Sequence, residues 1–103
     1  MANIVPKDKG SLAHNYDQFF TFEREELGQQ IVVLDKGFVY VGDVSMNNQY
    51  VLIQNAKNLR RWGTTEGLGQ LRNGPLPETK IDQCGTILAP KHSLVHFIPC
   101  RGF

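Results

Sequence analysis

Very little in this sequence can staple, span or steer. Cysteine occurs only twice, as Cys84 and Cys100. That is too few for the disulfide framework of a small secreted domain, so both are expected as reduced thiols and packing must hold the fold. The longest apolar runs, over 31–34 and 38–41, fall far short of the roughly 20 residues that cross a bilayer, and no membrane partner is expected. The opening ten residues lack the continuous apolar stretch and small-residue cleavage site of a secretory leader, which points to the cytosol. Charge of one sign is missing as well. A net charge of +1 gives no broad attraction to nucleic acid or to an acidic membrane, so any electrostatic recognition must be local and a nucleic-acid partner is disfavoured.

Catalytic signatures are also lacking. No pair among Asp35, Asp43, Glu66, Glu78 and Asp82 has a spacing that sets two carboxylates across a bond. Ser11, Ser45, Ser93 and His14 stand in no nucleophile motif. Cys84, His92, His96 and Cys100 offer four soft ligands, but their Cys-x7-His-x3-His-x3-Cys spacing matches no common structural zinc pattern, and Pro99 interrupts it. The expectation is a non-enzymatic protein without metal or cofactor.

What is present is a core. Six Phe, three Tyr and one Trp accompany abundant Val, Ile and Leu in 103 residues, enough for one domain. Residues 1–29 read as an N-terminal arm with a short helix over 16–27, begun by Asn15 and Gln18 and stopped by Gly28; Phe20 and Phe22 would instead share a face if that stretch were a strand. From Gln30 the texture is β-prone. The runs 31–34 and 38–41 flank the turn Asp35-Lys36-Gly37 as a hairpin, 50–53 follows as a third strand, and 85–89 and 94–98 supply two more around 90–93. Thr64 or Thr65 would cap a helical turn through 68–72, ended by Gly74 and Pro75. The fold class is mainly β, within α+β: a small five-stranded antiparallel meander or open barrel with one or two short helices over 30–103.

The polar segment 55–74 stands apart. It sets four cations, Lys57, Arg60, Arg61 and Arg72, against one anion, Glu66, and places the only indole beside two guanidinium groups. Arginine forks suit phosphate or carboxylate oxygens, and Trp62 offers a flat face for a base. The plainer reading buries Trp62 as a core anchor and leaves the arginines solvated. Gly63-Thr-Thr-Glu-Gly-Leu-Gly69 is glycine-rich like a phosphate-cradling loop, but it lacks the Gly-Lys-Ser/Thr and dinucleotide spacings and reads as a turn. The candidate ligand-binding residues are therefore Lys57, Arg60, Arg61, Trp62 and Arg72.

Over about residues 30–100 the chain resembles a family of small proteins encoded on tailed-phage and prophage genomes. The resemblance rests on Gly37-Phe-Val-Tyr-Val-Gly42, on Val51-Leu-Ile-Gln-Asn-Ala-Lys57 leading to Leu59 and Trp62, on Leu68-Gly-Gln-Leu71 before Gly74, and on Phe97-Ile-Pro-Cys100. Family members often carry a second aromatic where Arg60 stands and a basic pair where Lys57 and Asn58 stand, so this chain moves positive charge towards Trp62. The resemblance implies a phage accessory protein in the host cytosol that counters host defence by binding a host protein or sequestering an anionic nucleotide-like signal. Its alternatives are a structural or assembly protein of the virion and a small nucleic-acid-binding barrel. Unpaired sheet edges add the expectation of a homo-oligomer.

Overall fold

A computed structural model describes residues 24–103 of the chain. Residues 1–23 of the expected arm, including 16–23 of the expected helix, lie outside the described residues, whereas 25–29 belong to the first strand. The rest form five antiparallel strands in one open sheet, connected in part by short 3-10 turns: β1 (Glu25–Leu34), β2 (Val39–Met46), β3 (Tyr50–Arg61), β4 (Lys80–Pro90) and β5 (Leu94–Pro99). Their spatial order is β4-β3-β2-β1-β5. Four strands follow one another as a meander, and the fifth returns to the outer side of β1, pairing Ile31 with Ile98 and Val32 with Phe97. The five-stranded antiparallel expectation holds.

This order cannot be flat. The outer strands β4 and β5 are joined only by the 3-10 turn Lys91–Ser93. Extended chain from Pro90 to Leu94 spans at most about 14 Å, whereas the outermost of five strands in a flat sheet lie roughly 19 Å apart. The sheet therefore coils until its edges approach. Its concave packing agrees, since Ala89 and Ile87 of β4 share an apolar cluster with Leu94 and Phe97 of β5, together with Val32, Val44, Val51 and Ile53. Alternation along each strand sends Ile31, Val39, Val41 and Leu59 into a second cluster with Leu68 and Leu71 from the β3–β4 connection.

Three sequence-based boundaries are corrected. Residues 25–27, expected to end a helix, begin β1: Glu25 and Glu26 pair with Met46 and Ser45, and Gly28, at φ 74°, sits at a bulge rather than a helix stop. The third strand does not stop at Ile53 but runs to Arg61, past a register slip at which Asn55 adopts φ 53°. Residues 68–71 form a 3-10 turn with no side-chain cap. In place of a threonine cap, the Gln70 side-chain Oε1 accepts the Thr65 and Glu66 amides at 2.8 and 2.9 Å. Gly42 is required by a close approach, because a Cβ there would lie 2.7 Å from both the Gln54 carbonyl oxygen and Ile53 Cγ2.

Candidate functional site

The extension of β3 changes the setting of the candidate residues. Lys57, Arg60 and Arg61 stand on a strand instead of a loop, opposite β4. Lys57 pairs in register with Gln83 and Arg61 with Lys80, while the slip between Leu59 and Arg61 turns Arg60 to Asp82, where Nε donates to Oδ2 at 2.8 Å. That ion pair is half-exposed on both sides and contributes less than about 1 kcal/mol, but it occupies the Arg60 guanidinium. Among the described residues Arg61 and Lys80 have no such partner. Two like charges directly opposed on a ladder repel, and a bound anion would relieve them.

Trp62 follows Arg61 at the end of β3 and is 39% exposed, in neither apolar cluster. Trp62 is therefore not a fully buried core anchor, and part of its surface is accessible. Backbone contacts hold it in place, since the Thr79 hydroxyl donates to the Trp62 carbonyl at 2.7 Å and accepts the Leu76 amide at 2.9 Å. Gly63 packs so closely on Glu78 that a Cβ would meet its carbonyl carbon at 2.5 Å. The glycine-rich stretch 63–69 does not present a free amide cradle, because Gln70 occupies the Thr65 and Glu66 amides.

Arg72 lies apart from the other four candidates. It follows the 3-10 turn Leu68–Leu71, whose Leu71 is fully buried against the sheet, and lines a shallow basin of about 240 Å³ with Asn73, Pro99, Cys100 and Arg101. The Arg101 amide donates to the Arg72 carbonyl at 2.9 Å, which brings the C-terminal stretch beside the β3–β4 connection. Burial pushes the Cys100 thiol up to about 11, so it is uncharged at neutral pH. A larger depression of about 360 Å³ is bounded by Arg24, Glu25, Met46, Asn47, Asn48 and Lys91. There Arg24 is paired with Glu26 at 2.7 Å and Glu25 adds a further carboxylate.

Arg101 and Lys80 belong to no pattern readable in the sequence; only the register and the chain crossing bring them beside Arg72 and Arg61. Cys84 is exposed on β4, His92 sits in the turn Lys91–Ser93, His96 pairs with Val33 and Cys100 follows β5. Among the described residues no group of three or more His, Cys, Asp or Glu side chains is placed to hold a metal ion, and no helix is long and apolar enough to cross a membrane. No family model, curated protein or solved structure matches the chain.

Proposed function

We propose that the chain is a non-enzymatic accessory binding protein of phage type that engages an anionic, nucleotide-like small molecule. The observation that carries the reading is the partly exposed Trp62 next to Arg61, whose cross-strand neighbour among the described residues is another cation, Lys80. A ring of this kind stacks on a base while adjacent cations hold a phosphate, and Lys57 adds a further cation four residues before Arg61 on the same strand. Arg60, tied to Asp82, has an orienting part at most. Calorimetry against cyclic dinucleotides, cyclic trinucleotides and ADP-ribose derivatives tests the proposal. Binding without turnover is expected, and silence across the panel with folded protein rejects the nucleotide ligand in favour of a host protein.

A second reading, a homo-oligomeric or particle-associated protein, is favoured by the sheet edges. Among the described residues β4 and β5 each have one hydrogen-bonded neighbour, and β4 is an edge of 11 residues. An unpaired antiparallel edge accepts a second copy in closed, symmetric association. Light scattering that returns a monomer at all concentrations, together with absence of the protein from purified particles by mass spectrometry, overturns it.

A further inference from the structure

We infer that the basin between Arg72 and Arg101 is a phosphoryl-group site, separate from the Trp62 surface. Its lining holds two guanidinium groups and no carboxylate. Each arginine is positioned by a neutral acceptor, and neither is in an ion pair among the described residues: Arg72 Nη1 donates to the Gly69 carbonyl at 3.3 Å, and Arg101 Nε donates to Asn73 Oδ1 at 3.2 Å. Arg101 thereby keeps both terminal nitrogens of its fork for a planar or tetrahedral oxyanion.

The scaffold beneath is closely fitted. Gly74 and Gly102 adopt φ 121° and 87°, and a Cβ on Gly102 would stand 2.7 Å from the Asn73 carbonyl oxygen, so two chain segments cross at a separation only glycine permits. The Arg101 amide bonds the Arg72 carbonyl at this crossing, and Gln29 Oε1 accepts the Phe103 amide at 3.1 Å just beyond it. The guanidinium groups thus project from a fixed base. A shallow volume of about 240 Å³ accommodates a phosphate or diphosphate group and leaves whatever carries it outside.

The inference deepens the anionic-ligand reading but does not depend on the base-stacking surface, so the two fail separately. Amide NMR of the full chain, titrated with inorganic pyrophosphate, tests it. Saturable shifts centred on Arg72, Asn73, Arg101 and Gly102 are expected. Arg72→Gln and Arg101→Gln should each weaken binding about tenfold, and Arg101→Lys less, while Lys91→Gln, in the separate depression beside Asn47, leaves it unchanged. Spectra of each variant establish that it is folded. Shifts confined to Lys57, Arg61 and Trp62 overturn the basin while sparing the stacking surface, and so does the absence of any saturable shift at millimolar pyrophosphate. Full binding by a folded double variant, Arg72→Gln with Arg101→Gln, also overturns it.

Discussion

Asn55 donates from Nδ2 to the Asp43 carboxylate at 3.0 Å across the β2–β3 ladder, at the place where that ladder slips register. Its φ of 53° lies in the left-handed region, which asparagine tolerates better than most residues. The bulge so formed lets β3 continue to Arg61. Asn55→Ala should destabilise the fold by about 1–2 kcal/mol through backbone strain and the lost bond. Asn55→Gly should recover the larger part. Urea midpoints for the pair check this, and equal losses would show that the left-handed backbone is not the controlling element.

Gly42 offers the sharper steric test. Its Cβ would collide with the Gln54 carbonyl and Ile53 Cγ2, both fixed in β3, so Gly42→Ala should cost about 1–3 kcal/mol. Gly69 has nothing within 4 Å of its Cβ position and no positive φ, so Gly69→Ala should stay within about 0.5 kcal/mol. Thermal denaturation of both variants measures the contrast.

The connection between β3 and β4 is part of the core as well as a surface. Leu71 is fully buried in the cluster containing Ile31, Val41 and Leu59. Leu71→Ala should therefore lower stability by about 2–5 kcal/mol, the cost of a core cavity. An effect below about 1 kcal/mol in chemical denaturation would contradict its packing role.

Trp62 should behave as a solvated reporter in a positive field. Iodide is expected to quench its fluorescence more strongly than caesium, since Arg61 precedes it and Lys80 faces Arg61, and added salt should narrow the difference. Trp62→Ala should cost less than about 1 kcal/mol in stability while abolishing stacking-dependent ligand binding. Equal quenching by both ions at low salt would contradict the local charge.

The two thiols should separate by reactivity and by pH. Cys84 is exposed, whereas Cys100 is half-buried with its thiol pushed from 9.0 up to about 11. Alkylation followed by mass spectrometry should label Cys84 first. A raised thiol pKa means that folding favours the protonated form: its contribution is intact below pH 9 and is lost as pH climbs through about 11, because the unfolded thiol ionises first. Stability measured across that window should fall more steeply for the parent chain than for Cys100→Ala.

Five strands were legible because β-branched and aromatic runs bounded by turn residues survive as local signals. The end of β3 was not, because Gln54, Asn55, Lys57, Asn58, Arg60 and Arg61 look like loop; only Ala56 and Leu59 are buried there, and tertiary pairing with β4 overrides the polar composition. Glu25 and Glu26 likewise pair through a bulge that helix-like spacing disguised. The locally basic character of 55–74 was visible, but its division was not. Arg60 is diverted by Asp82, a residue far along the chain, and Arg72 meets Arg101 only through a crossing fixed by Gly74 and Gly102. Such adjacencies are set by topology, which no periodicity encodes.

The pairing of β1 with β5 also orders the assembly of the fold. The ladders β1–β2, β2–β3 and β3–β4 join neighbours in sequence, whereas Ile31 meets Ile98 only after the chain between them has been confined. Loop-closure entropy weighs most on that last ladder. The meander can thus form early as a ribbon with one bare margin on β1, and docking of β5 is the step that completes the curl, pins Phe103 at Gln29 and brings Arg101 to Arg72. The phosphoryl basin would then be among the last features of the molecule to come into existence and, on local unfolding, among the first to vanish.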